Sequence, residues 1–366
     1  MIERKQMMVW ALVGISISIC AMAFMYFFTQ LPTEGTGLGI DNIFPNLDNW
    51  DIYYQVTNGL RNPPWSVLVL IPVGSLFDPK AAWGLISFAT IAVLLLSVPT
   101  TEKRWLFLLS VVLLVVSYPT LRIMADAQIS VLVFGGILIL LAGYRQQNPL
   151  LLAIGILLAT AKPQAISLLM PTVGLYVLFT WSPRKWLQAG TLVLAVVIPT
   201  MIWKGEAWIN ALQGTYQQGS IMDMGLNAAL NRMDLPSPMI VILLSSVLVV
   251  TVAMVWFSRR TLSREKAGML VAASLLLAPY AGSGILTVLC IGGVALLHRR
   301  FWVGLPLFIL ANSIIFVNTP EYIHINAYYR TGVLLMIWIV LCLDIWKTEV
   351  ASSTQEQGHQ PTSQQS

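Results

Sequence analysis

The sequence predicts an all-α polytopic membrane protein with about twelve transmembrane helices. Hydrophobic residues make up 57% of the 366 residues and charged residues only 10%, a balance typical of membrane proteins rather than soluble domains. Apolar runs alternate with short polar segments along the whole chain. The predicted spans are 8–28, 81–98, 105–118, 129–144, 149–161, 165–181, 186–203, 238–257, 267–281, 284–297, 301–317 and 331–346.

The basic residues predict the orientation of these spans. Arg4 and Lys5 precede the first span, so the positive-inside rule places the amino terminus in the cytoplasm. The apolar segment 63–77 is too short to cross ~30 Å of hydrocarbon as a helix. We expect it to lie at the outer surface, since this keeps Lys103 and Arg104 inside. With twelve spans, both termini are cytoplasmic.

The composition also limits the organisation and the class of protein. Residues 1–350 are predicted to form one integral membrane domain, in the plasma (inner) membrane. The polar segment 351–366 is predicted to be a disordered cytoplasmic tail. Basic residues are scattered between spans, which does not indicate nucleic-acid binding. The three cysteines have neither disulfide nor metal-ligand spacing.

The first outer loop, residues 40–65, holds the first candidate site. It reads IDNIFPNLDNWDIYYQVTNGLRNPPW. Asp48 and Asp51 are three residues apart, so a short interfacial helix would place them on one face. A carboxylate beside aromatic residues such as Tyr54 suits a general base acting on a hydroxyl. Two alternatives are a solvated loop and an interfacial belt of aromatic residues.

Two short pairs of spans meet in turns that should lie below the outer surface. These turns are AKPQA, residues 161–165, and APYAGSG, residues 278–284. Non-helical backbone at that depth is tolerated only beside protein or water, so both turns are expected to line an outer cavity. The outer segment 204–238 is expected to cover this cavity. Small residues in APYAGSG fit close helix packing equally well.

Charged residues near this cavity are candidates for binding a phosphate. Lys162, in AKPQA, is either a phosphate partner or a lysine whose ammonium reaches the membrane surface. Arg122 either pairs with Asp126, four residues later, or holds the phosphate of a lipid donor. A further group of residues before the last span is predicted to act as interfacial anchors; it comprises His324, Tyr328, Tyr329 and Arg330.

The order of these elements resembles glycosyltransferase family 87. An acidic first loop is followed by NPPW, by QIS at residues 128–130, by AKPQ and then by APYA. The resemblance implies the C-type glycosyltransferase fold and a catalytic aspartate in the first outer loop. The family's aspartate lies at the start of a D-aromatic-x-x-Tyr run, where this chain has Asn49. Asp51 is our first choice of base, because it lies one turn before Gln55 and directly before the Ile-Tyr-Tyr run, and Asp48 is the second.

The resemblance also implies an activity. The chain would move a mannose-like hexose or a pentose from a polyprenyl-phosphate donor to an extracytoplasmic lipid or glycan acceptor, without cofactor or metal. Its alternatives are a transporter or flippase of lipid-linked sugars and an inactive member that binds them. The proposed donor-phosphate partners are Lys162 and Arg122, and the proposed cavity residues are Tyr54, Gln128, Gln164 and Tyr280.

Overall fold

The computed structural model describes residues 2–30, 62–125, 128–218, 224–258, 261–279, 281, 284–317 and 323–358. Within these ranges the chain is helical, without a strand. The helices are α1 (Ile2–Thr29), α2 (Pro64–Leu76), α3 (Pro79–Ser97), α4 (Arg104–Val115), α5 (Tyr118–Ala125), α6 (Ser130–Gln146), α7 (Pro149–Ala159), α8 (Leu169–Thr180), α9 (Pro183–Gln218), α10 (Leu226–Arg232), α11 (Ser237–Phe257), α12 (Arg264–Leu277), α13 (Ile285–Val288), α14 (Val294–Arg299), α15 (Phe301–Asn312) and α16 (Ile323–Gly358).

Several helices begin where the sequence supplies a cap. The Asp78 carboxylate accepts hydrogen bonds from the backbone N–H groups of Lys80 and Ala81 at the start of α3. Asn148 does the same for Leu150 and Leu151 at the start of α7. Both caps are followed directly by a proline, whose missing N–H costs nothing in the first turn.

Helix length supports part of the predicted membrane topology. Three described helices are long and apolar enough to cross a bilayer, at Lys80–Ser97, Pro183–Asn210 and Ser237–Phe257. Helices α4 and α5 make a fourth if their 44° bend lies within one span. Seven further apolar helices in the described ranges are shorter. The chain is thus a helical membrane protein, and twelve spans remain a prediction.

Two helices extend beyond the predicted spans. Helix α9 continues past residue 203 to Gln218, so the first part of the outer segment 204–238 is a continuation of this helix. Residues 204–218 contain good helix formers and no proline. Helix α16 runs on to Gly358, and so enters the segment 351–366.

Helix α12 lies at the centre of the bundle. Every residue from Lys266 to Leu276 is buried. A Cβ placed on Gly268 would come within 2.5 Å of the Gly292 Cα, so α12 contacts the π-helical segment Leu289–Gly293 backbone to backbone. Arg264 donates to the carbonyl oxygens of Ser97 and Cys290, each at 2.6 Å. These bonds join three helices around the π-helical turn.

A second polar cluster lies beside the start of α12. Asp344 is 3% exposed and forms ion pairs with Arg299 and Arg300. The Arg300 Nε lies 3.0 Å from the Asp344 Oδ1. Glu265 pairs with Arg299 at 3.6 Å. This cluster ties the start of α12 and the end of α14 to the middle of α16.

Candidate functional site

Lys162 lies in the break between α7 and α8 and contacts the start of α6. Its Nζ donates to the Gln128 Oε1 and to the Ser130 Oγ, each at 2.9 Å. Lys162 and Gln128 are half-buried, and Ser130 is buried. Lys162 and Gln128, both predicted from the sequence to belong to the site, are thus in direct contact. Ser130, the last residue of the QIS motif, accepts the second hydrogen bond from Lys162.

Glycines in the α6–α7 hairpin explain why Lys162 contacts the start of α6. A Cβ on Gly136 would lie 2.3 Å from the Ala159 N, and one on Gly143 would lie 2.5 Å from the Leu152 N. On the other helix, a Cβ on Gly155 would lie 2.4 Å from the Leu140 N. The two antiparallel backbones therefore touch along the whole hairpin, as small residues allow in membrane helix pairs. The end of α7 is consequently held against the start of α6.

The tryptophan of NPPW packs at the same place. The Trp65 Nε1 donates to the Thr160 Oγ1 at 2.9 Å, two residues before Lys162. The Trp65 ring also packs edge-on against Trp208 of α9, with centroids 5.7 Å apart. The Ser66 hydroxyl donates to the Pro63 carbonyl at 2.7 Å and closes the first turn of α2. NPPW therefore buttresses the Lys162 turn, a role that its sequence does not reveal.

Ala281, in the segment 278–284, is joined to other elements by hydrogen bonds. The Met224 N donates to the Ala281 carbonyl at 2.8 Å. The Thr331 hydroxyl of α16 donates to the Met224 carbonyl at 3.1 Å. On the other side, the Leu168 N donates to the Ser274 Oγ of α12 at 2.9 Å. These hydrogen bonds connect the segment after Lys162 to α12, and Ala281 to α16 through Met224.

A cleft opens beside these contacts. It is small and encloses a volume of about 30 Å³. Two arginines line it: Arg122 of α5, which is half-buried, and Arg330 of α16, which is 7% exposed. The other lining residues are Tyr118 and a mainly apolar wall formed by Pro119, Ile123, Met224, Ile285, Leu286 and Ile314.

Some of the predicted site residues lie within the described ranges, and others lie outside them. Gln164 lies half-buried on the 3-10 turn Pro163–Ala165, two residues after Lys162. The described part of the chain holds no group of three or more His, Cys, Asp or Glu residues that could bind a metal ion. Five predicted residues lie outside the described ranges: Asp48, Asp51, Tyr54, Asp126 and Tyr280.

Arg330 lies in the lining of the cleft, a position that sequence reasoning did not predict. It was expected to be an interfacial anchor, yet it is buried. Arg330 directly precedes the apolar run TGVLLMIWIV and lies inside α16, and an ionisable residue within a membrane helix usually faces the interior of the bundle or a cavity. Its neighbours Tyr328 and Tyr329 are half-buried and bond to other segments, so they too are more than surface anchors.

One comparison with known proteins gives a match. Residues 61–279 match the family described as glycosyltransferase family 87. No curated protein and no solved structure matches the chain. The matched range includes Trp65, Arg122, Gln128 and Lys162, and it excludes Arg330 and the two aspartates proposed as the base.

Proposed function

The chain belongs to glycosyltransferase family 87 and is thus a membrane glycosyltransferase; we propose that its donor is a polyprenyl-phosphate sugar. The sugar is a mannose-like hexose or a pentose, and the acceptor is an extracytoplasmic lipid or glycan. The basic residues between spans favour cytoplasmic termini and a site on the outer face of the plasma membrane.

The observation that carries the proposal is the environment of Lys162. Helix α7 has 11 residues, about 16 Å at 1.5 Å per residue, which is too short to cross a bilayer. The break that holds Lys162 therefore belongs below the membrane surface, where a lysine is costly and usually functional. Gln128 and Ser130 are neutral acceptors, and these two bonds orient the ammonium at the start of α6.

A lipid-linked phosphate is the anion that fits best. In the proposed reaction, the sugar C1–O bond to the donor phosphate breaks and a C1–O bond to the acceptor forms. Lys162 and Arg122 stabilise the charge on the departing polyprenyl phosphate. The acceptor hydroxyl gives its proton to a carboxylate, for which Asp51 is the first choice and Asp48 the second. Tyr54, Gln128, Gln164 and Tyr280 are the proposed lining of the sugar cavity.

Transfer by purified protein in liposomes tests this proposal. A radiolabelled polyprenyl-phosphate sugar is supplied with membrane-extract acceptors, and labelled product is followed for wild type, Asp51→Asn and Asp48→Asn. We expect Asp51→Asn to abolish transfer with donor binding intact, and Asp48→Asn to reduce transfer less. Asparagine keeps the size and hydrogen bonding of aspartate but lacks its basicity.

The same assay separates the rival functions. Donor binding without transfer by the wild type would indicate an inactive binding member. Movement of the donor across the liposome membrane without transfer would indicate a flippase. Full transfer by the Asp48→Asn/Asp51→Asn double variant would show that neither aspartate is the base.

A further inference from the structure

Two segments that each carry a basic pair and aromatic residues meet at one surface of the bundle. The start of α4 has the sequence KRW, residues 103–105, and the junction of α14 and α15 has the sequence RRFW, residues 299–302. The Trp105 ring packs edge-on against the Phe301 ring, with centroids 5.4 Å apart. Residues 103–105 and 299–302 are therefore adjacent, and together they are called the basic–aromatic surface.

The α14–α15 hairpin fixes one half of the basic–aromatic surface. A single residue, Arg300, separates the two helices. A Cβ placed on Gly304 would lie 2.4 Å from the Leu297 Cα, so the two backbones touch directly after the turn. The Ser110 Oγ of α4 and the His298 Nε2 of α14 share a hydrogen bond of 2.9 Å, which joins the hairpin to the other half. The surface is thus organised before a ligand arrives, and this reduces the cost of binding.

Lys103 and Arg104 supply the charge of this surface. Both residues are exposed, as is the neighbouring Glu102, and the three together keep a net positive charge. The arginine pair of the hairpin adds no net charge, because Asp344 and Glu265 form ion pairs with it. Exposed basic residues at a membrane surface attract anionic headgroups. The charge of the surface therefore favours an anionic ligand.

Two tryptophans of the surface are exposed beside these charges. Trp105 is 54% exposed and Trp302 is 81% exposed. Tryptophan is enriched where a membrane meets water, because its ring is apolar and its N–H is polar. Apolar residues follow Trp105 directly along α4, which places the surface where headgroups meet hydrocarbon. A soluble anion would gain nothing from the two tryptophans, whereas a phospholipid contacts both the charges and the rings.

We propose that the basic–aromatic surface binds an anionic diacyl phospholipid of the cytoplasmic leaflet. The Lys103 ammonium and the Arg104 guanidinium donate to the phosphate oxygens. The rings of Trp105 and Trp302 lie against the glycerol and the first methylene groups of the acyl chains. The orientation in which Lys103 and Arg104 are cytoplasmic brings them to the leaflet that is rich in anionic lipids. The inference is independent of the proposed function, since it uses neither the donor nor the proposed base.

Native mass spectrometry of the full-length protein in detergent tests the inference. The affinity of the first bound lipid is measured for dioleoyl phosphatidylglycerol, which is anionic, and for dioleoyl phosphatidylcholine, which has the same acyl chains and a zwitterionic headgroup. Glycerol phosphate, which lacks acyl chains, is added as a competitor. The test variant is Lys103→Gln/Arg104→Gln. Arg184→Gln/Lys185→Gln is the matched control, because this basic pair also precedes a tryptophan at the start of a span, in α9.

We expect the wild type to bind phosphatidylglycerol about 30-fold more tightly than phosphatidylcholine, because each of two basic residues contributes about fivefold at an anionic headgroup. Lys103→Gln/Arg104→Gln should lose this preference, and the control variant should keep it. Lys103→Arg/Arg104→Lys keeps both charges and should bind like wild type. Trp302→Ala should weaken both lipids alike, since the ring contacts the part that they share. Glycerol phosphate should not compete with phosphatidylglycerol.

Three results would overturn the inference. The first is an unchanged preference for phosphatidylglycerol in Lys103→Gln/Arg104→Gln. The second is an equal loss of preference in the control variant, which would mean that any cytoplasmic basic pair attracts the lipid. The third is efficient competition by glycerol phosphate, which would indicate a soluble anion as the ligand. Lys103 and Arg104 are exposed, so these variants are expected to fold, and a thermal unfolding midpoint equal to that of the wild type checks this.

Discussion

Replacing Gly136 with alanine tests whether the α6–α7 contact sets the position of Lys162. The new Cβ would lie 2.3 Å from the Ala159 N and 2.8 Å from the Leu158 C. Both are backbone atoms, so no side-chain rotation can relieve the overlap. Because non-bonded heavy atoms prefer about 3.5 Å or more, the helices must separate by about 1 Å. Lys162 lies three residues beyond Ala159 and moves with it.

The size of the effect follows from two opposing contributions. Overpacking costs about 1–3 kcal/mol, while alanine in place of a helical glycine returns about 0.5–1 kcal/mol. The net loss of unfolding free energy is thus between zero and about 2.5 kcal/mol. The functional loss should be larger, since a misplacement of about 1 Å can cost about 100-fold in rate.

Gly135→Ala is a control on the same helix. Its Cβ would meet only the Val93 side chain, at 3.4 Å and 3.7 Å, which is ordinary contact. We expect this variant to be as stable as wild type or more so, and fully active. Thermal unfolding in detergent and the rate of sugar transfer in liposomes are measured for both variants. If Gly136→Ala equals Gly135→Ala in both measurements, backbone contact does not position Lys162.

Three further predictions concern charge and topology. Lys162→Met should weaken donor binding by about 2 kcal/mol or more. Lys185→Met is its control, since that lysine also donates to a glutamine but at an exposed site, and equal affinities would make Lys162 structural. Asp344→Asn should lower the unfolding free energy by about 1.5–3 kcal/mol, because Arg299 and Arg300 lose a buried partner. Glu102→Gln, at an exposed site, is its control, and an equal midpoint of thermal unfolding for the two variants would contradict this prediction. In cells, a cysteine at Asp78 should react with an impermeant maleimide and one at Glu102 should not; the reverse pattern would exclude the proposed topology.

The sequence alone established the class of protein and the positions of most helices. Apolar runs, prolines and caps such as Asp78 and Asn148 act locally, so the helices they begin could be predicted. The motifs NPPW, QIS and AKPQ were enough to indicate the family, because their order along the chain does not depend on the packing. The aspartates of the first outer loop are proposed on the sequence alone, since they lie outside the described residues.

Contacts between distant segments required the tertiary structure. Lys162 meets Gln128 and Ser130 because glycines let two backbones touch, and a sequence does not state which glycine faces which helix. For the same reason, the sequence does not show that Arg330 of α16 and Arg122 of α5 line one cleft, since they lie far apart along the chain. Hydrophobic periodicity gives each helix a face, but the direction in which that face points is decided by the packing of the whole bundle.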